Sequence, residues 1–257
     1  MSKFERVKYS NCPLAEVVYQ FNFPTILAIE ANAPVEFQNI IRTKFPHYQQ
    51  RIEKESQLMV NLVDRNVNPM FKSNPDKKIH LFISDDGLWK VTLAKNYISI
   101  STLKYEQWED LKCKFSDVLQ TFINLYNPVY FERIGLRYID VFNLDELQLT
   151  GTPWNELIKP HLLGCLCLSN GENLKVSTNS VKSELFIDDI IIRIEAGLAI
   201  ANEKESFILD CDYYQKGKVN IQEIENVSEQ LHNESTSFFQ RSITSKLHEA
   251  MKPEKIK

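Results

Sequence analysis

Two hydrophobic periods alternate along this chain, and the order in which they alternate is read almost twice. Residues 13–23 place Val17, Tyr19, Phe21 and Phe23 on one side at period two, which predicts a half-buried strand stopped by Pro24. Pro34 then precedes Val35, Phe37, Ile40, Ile41 and Phe45, an apolar helical stripe closed by Pro46. Strand-like runs follow at 57–63, 78–84, 88–93 and 97–102, with Asp85-Asp86-Gly87 as the clearest hairpin turn. From Tyr105 the period becomes 3.6. Trp108, Leu111, Phe115, Val118, Leu119, Phe122 and Leu125 share one helical face until Asn127-Pro128 ends it.

The second half opens with the longest predicted strand, 129–142, and continues with a helix at 153–161. Strands are expected at 163–169, 175–187, 189–201 and 206–214, the last two separated by the polar turn Asn202-Glu203-Lys204-Glu205. A long helix over 222–251 closes the chain, with Ile224, Val227, Leu231, Phe238, Ile243 and Leu247 as its inner face. Each half therefore reads strand, helix, four strands, long helix. Residue identity between them is slight, so the duplication is inferred from the order of elements. The expectation is an α+β protein of two β-α-β4-α pseudo-repeats, 1–127 and 128–257, forming antiparallel sheet with the long helices on one face. The halves should make one intimately packed unit, because each sheet's open hydrophobic edge is relieved by pairing with the other. This order resembles the half-repeat of the TATA-binding-protein fold, and also helix-grip folds, whose curved sheet holds a ligand against a long terminal helix. Fold likeness carries no function by itself.

Composition narrows the classes. The 257 residues are 43% hydrophobic, 11% aromatic and 25% charged, an ordinary folded globule able to bury a real core. Only seven glycines are present, so phosphate cradles have little material; GxxxxGK[ST], GxGxxG and GxSxG are all missing. Cys12, Cys113, Cys165, Cys167 and Cys211 form an odd set without a CxxC pair, which indicates neither a disulfide framework nor a zinc ribbon. The first residues are charged and no apolar run is long enough to span a bilayer, so a cytoplasmic protein without a membrane partner is expected. A net charge of −4 removes the bulk attraction of a general nucleic-acid binder.

Three segments carry a family likeness: Pro13-Leu14-Ala15-Glu16-Val17-Val18, Arg133-Ile134-Gly135-Leu136-Arg137-Tyr138-Ile139-Asp140, and Leu231-His232-Asn233-Glu234-Ser235 through Phe238, Ile243-Thr244 and Met251. In them the chain resembles a sporadically distributed family of conserved bacterial proteins of about this length and unassigned function. The resemblance implies a shared fold and hands over no catalytic residue. The family's patchy distribution is like that of horizontally moved genes, accessory and phage-defence genes among them.

Several constellations remain to be weighed. On the 129–142 strand, Arg133, Gly135 and Arg137 face one way, while Ile134, Leu136, Tyr138 and Asp140 face the other. Two guanidinium groups beside a glycine suit a phosphate or carboxylate, with Arg193 or Tyr214 as a third donor. The plainer reading pairs each arginine with an acid on the next strand, such as Glu195. Glu195, Asp210 and Asp212 are in turn the carboxylates a metal-dependent phosphodiesterase or nuclease would use, although no supporting lysine motif accompanies them. The histidines His47, His80, His161, His232 and His248 form no HxH, HExxH or HxxxH pair, and His232 reads as a boundary or capping partner. No cofactor is called for. The expected function is a non-enzymatic binding or regulatory component of an accessory bacterial system, acting with a protein partner or with copies of itself. The alternatives are the metal-dependent phosphodiesterase and a small-anion binder built on Arg133 and Arg137.

Overall fold

The computed structural model describes residues 6–53, 56–59, 70–73, 77–168, 176–201 and 204–255. Strands β1 (Val7–Tyr9) and β2 (Leu14–Asn22) lead into two short helices, α1 (Leu27–Ala31) and α2 (Val35–Ile41). Then come β3 (His47–Glu53), β4 (Ser56–Met59), β5 (Met70–Ser73), β6 (Lys77–Ile83), β7 (Trp89–Ala94), β8 (Tyr97–Thr102) and helix α3 (Trp108–Tyr126). After β9 (Phe131–Asn143) the chain makes 3-10 turns between Trp154 and Leu168. It ends with β10 (Ser180–Ile187), β11 (Ile190–Ala201), β12 (Lys204–Val219), α4 (Ile224–Ser242), α5 (Ser245–Ala250) and β13 (Pro253–Lys255).

Nine strands join in one antiparallel sheet in the order β10-β11-β12-β9-β2-β8-β7-β6-β3, so the protein is α+β around a large sheet. One face is apolar because period-two alternation in β2 and β9 sends Val17, Tyr19, Phe21, Ile134, Leu136 and Phe142 the same way, all of them buried. Helix α3 lies on that face: Trp108 meets Tyr19 at 5.4 Å, Phe115 meets Phe21 at 5.3 Å, and Phe122 meets Phe23 at 4.6 Å between ring centroids. Such aromatic pairs add about 0.5–1.5 kcal/mol each beyond the area they bury. Helix α4 covers the same face beside it, with Phe238 against Tyr213 and Phe239 against Phe142. The two helices are bridged by Trp108 Nε1, which donates to Glu229 at 2.8 Å, and by Lys112, which reaches Glu229 at 2.8 Å and Glu225 at 3.2 Å. Asn127, left-handed at φ 44°, stops α3, as the Asn-Pro pair suggested.

The second half departs from expectation in three places. The helix expected at 153–161 is a pair of 3-10 turns, because Pro160 lacks an N–H and holds Lys159 extended at ψ 149°. Where a strand was expected at 163–169, Gly164–Leu168 form another 3-10 turn and residue 169 lies outside the described residues; Leu162, Leu163 and Leu166 bury at helical spacing, and Gly164 sits at φ 50°. Three strands rather than four therefore lie between β9 and α4 among the described residues. The long final helix breaks at Ile243, whose extended backbone bridges Ile158, while the Thr244 side chain accepts from Leu247 N to start α5. In the first half, four strands of the sheet do follow the helical segment, but one of them is β3, which was not foreseen. The strand expected at 57–63 falls partly on β4, which pairs with β5 in a separate hairpin; residues 60–63 and the Asn202-Glu203 turn lie outside the described residues. Among the described residues no helix is long and apolar enough to cross a membrane.

Candidate functional site

The sheet face turned away from the helices carries the charged residues that the sequence singled out. Arg133 Nη2 donates to both carboxylate oxygens of Asp212, at 2.6 and 2.7 Å. Arg137 Nε donates to Asp210 Oδ1 at 2.7 Å, and its Nη2 donates to Oδ2. Arg193 reaches Glu184 at 3.3 Å, the same carboxylate oxygen to which the Tyr214 hydroxyl donates at 3.2 Å. Glu195 is joined to Lys182 at 3.0 Å. Each arginine thus meets an acid on the adjoining strand, and the partners of Arg133 and Arg137 are Asp212 and Asp210 rather than Glu195. The guanidinium of Arg133 also lies 4.4 Å from the centre of the Tyr214 ring. Its place explains Gly135, where an added Cβ would stand 2.6 Å from the guanidinium carbon. The glycine makes room for the protein's own arginine. Among the described residues no group of three or more His, Cys, Asp or Glu side chains is arranged to hold a metal ion.

The other face holds a different arrangement. A cavity of about 140 Å³ opens between β9, β12, α4, β1 and the segment ahead of α3. Asp140 and Tyr138 enter it from β9, Cys211 and Tyr213 from β12, His232 and Ser235 from α4, and Tyr9 from β1. The same alternation that buries Leu136 and Phe142 turns Asp140 inward, where it is 3% exposed. Beside it the β2–β9 register slips: Leu14 faces Asp140 but Glu16 faces Ile139. Bulges of this kind re-aim side chains and recur next to functional sites.

Among the described residues no donor hydrogen-bonds the Asp140 carboxyl. Burial, followed by the negative charge of Asp210, pushes its pKa up to about 8, so the group carries a proton at neutral pH. The phenols around it are held in their neutral form by burial, Tyr138 up to about 12 and Tyr9 and Tyr213 well above the usual range. His232 is lowered to about 4, first by burial and then by the charge of Arg6, so its imidazole is neutral too. That ring stacks on Trp108 at 5.0 Å and 9°, and its Nδ1 lies 3.2 Å from the Tyr138 hydroxyl. Tyr9 is held by its hydroxyl 2.9 Å from His248 Nδ1. At the mouth Lys8 faces Glu106 at 3.5 Å, and β1 is fastened to β13 over three residue pairs.

No sequence motif marks this cavity as a site, although Pro13, Leu14, Tyr138, Asp140, His232 and Ser235 all line it. His232, read as a boundary residue, is buried against Trp108. The available signal was Asp140 standing on the apolar stripe Ile134, Leu136, Tyr138, Phe142. The three segments that carry the family likeness each contribute here, through Pro13 and Leu14, Tyr138 and Asp140, and His232 and Ser235. No protein-family model matches the chain, and no curated protein matches it either.

Proposed function

We propose that the protein is a non-enzymatic binding or regulatory component of an accessory bacterial system, one that takes a small molecule between its sheet and α4 and acts with a protein partner. The observation that carries this reading is the buried Asp140 carboxyl, without a protein donor, facing a cavity of about 140 Å³. A buried polar group without a partner is costly, and an apolar side chain there would leave the core more stable. A group held under that cost is a functional-site candidate. The order of elements supports the same reading. β2-β8-β7-β6 on one side of the centre is matched by β9-β12-β11-β10 on the other, and α3 and α4 each follow the last strand of their set. We read this as two related halves, in the manner of a helix-grip protein whose terminal helix closes on a ligand. For the partner, the edge strands offer surface: all seven residues of β3 are exposed, and Phe186 on β10 is 70% exposed.

The test is native mass spectrometry of the full chain and of Ser235→Leu, which fills the cavity, after both are incubated with a bacterial metabolite extract. A small molecule retained by the wild type and lost from Ser235→Leu is the expected result. Equal retention by both proteins, or conversion of the retained compound, would overturn the reading.

A further inference from the structure

Taking the cavity reading as its basis, we propose that the ligand is a small organic cation, an ammonium group seated against Asp140 inside a ring of aromatic side chains. Three features of the cavity point to this class. The first is charge. Asp140 is 3% exposed and among the described residues accepts no hydrogen bond, so its oxygens are free to receive donors from a ligand. No fixed positive charge inside the cavity competes for them: His232 is neutral, and Lys8 stands at the rim facing Glu106 at 3.5 Å. An anion entering the cavity would meet no positive charge beyond Lys8 at the rim, itself facing Glu106, which counts against phosphate and carboxylate ligands.

The second feature is the wall. Tyr9, Tyr105, Tyr138, Tyr213 and Phe239 all line the cavity. Aromatic faces attract a cation through their quadrupoles, more strongly where water is excluded, and boxes of such rings are a recurrent way to hold organic ammonium ions. With the Asp140 carboxyl at one end, ionised when an ammonium group sits against it, the box holds the charge from several sides at once. The third feature is size. At about 140 Å³ the cavity approaches the volume known to hold benzene, which admits a ligand of about five to seven non-hydrogen atoms and excludes nucleotides and peptides. Oxygen donors at a metal-ion spacing are missing as well, since no group of three ligating side chains is present among the described residues.

The probes are n-pentylammonium and 1-pentanol, which differ in their charged head and hardly at all in shape. Each is titrated into the full chain at pH 8 by calorimetry. The expected result is that the ammonium binds at least about tenfold more tightly than the alcohol, the effect of one well-placed charge pair. Asp140→Asn, isosteric and uncharged, is expected to bring the two within about threefold by removing that pair. Ser235→Leu is expected to abolish both. Equal or tighter binding of the alcohol by the wild type overturns the cation class and leaves the cavity reading standing. If neither probe binds the wild type, or both bind Ser235→Leu unchanged, the cavity reading fails together with the inference. The comparison of the two probes on the wild type needs no variant, so the inference stays exposed to refutation whatever the folding of Asp140→Asn.

Discussion

Replacing Asp140 with Asn should stabilise the protein at neutral pH and should change how its stability depends on pH. In the folded protein the Asp140 pKa stands at about 8, against about 4 for an aspartate in an unfolded chain. The folded state therefore binds this proton more tightly. Its contribution to stability is fully present below about pH 4, declines as pH rises, and is lost as pH passes through about 8. Between pH 5 and 7 the unfolded side chain is ionised and the folded one protonated, so each pH unit weakens the wild type by about a factor of ten in its folding equilibrium. Over those two units the loss is about 3 kcal/mol, a large part of an ordinary domain's stability. The figure is an upper bound, because the carboxyl opens on a cavity that reaches solvent. Asn cannot ionise, so Asp140→Asn should gain on the wild type by the same about 3 kcal/mol as pH goes from 5 to 7. The assay is urea unfolding of both proteins at pH 5, 6 and 7, compared as a difference. His232, whose pKa is lowered to about 4, acts in the opposite sense by weakening the fold as pH falls below about 6.5, and it does so in both proteins. Its effect cancels in the difference. Parallel pH profiles for the two proteins would show that Asp140 is ionised in the folded state, and the account of the cavity would fall with it.

Two further outcomes follow from the geometry. Gly135→Ala should cost about 1–3 kcal/mol by driving the Arg133 guanidinium off Asp212 and Tyr214, and the same change in an Arg133→Met background should cost little; equal costs in the two backgrounds, measured by urea unfolding, would refute the contact. The His232 imidazole should titrate near pH 4 when followed by its NMR ring signals, and a midpoint near the ordinary value of about 6.5 would show that it is not buried against Trp108.

The elements legible in the sequence were those that keep one apolar period from end to end. β2, β8, α3 and β9 fall within a few residues of their expected bounds, because Val17-Tyr19-Phe21 and Trp108-Leu111-Phe115 keep a single period over their whole length. β3 was illegible for the opposite reason: His47–Glu53 is an edge strand with every residue exposed, so no apolar alternation marks it. The break at Ile243 leaves a trace in the pattern, since Ile243 and Leu247 lie about 140° and 180° from Phe238 on a helical wheel, and the tertiary bridge to Ile158 that ends the helix is 85 positions away in the sequence. The packing of 153–168 into 3-10 turns rests on Pro160, whose effect on Lys159 competes with an apolar pattern that reads equally as helix or strand.

The cavity is hard to read from the sequence because charges are plentiful on the opposite face of the sheet. Strand alternation placed Arg133 and Arg137 together on one side and Asp140 on the other, and this division holds in the structure. What one strand cannot disclose is its register against the next, and register decides that Asp212 and Asp210 stand within reach of the two arginines. On a polar face a charge finds an opposite charge nearby, so its presence says little about function. On the apolar face no such neighbour is at hand. Asp140 follows Ile134, Leu136 and Tyr138 into a core where the residues beside it are rings, aliphatic chains and a thiol, and it carries a carboxyl that each of its neighbours leaves without a donor. A leucine would suit every one of those contacts better. The side chain that packing alone would not choose is the one to follow inward, and here it leads to a cavity lined by four tyrosines, a neutral histidine and one buried acid with room beside it.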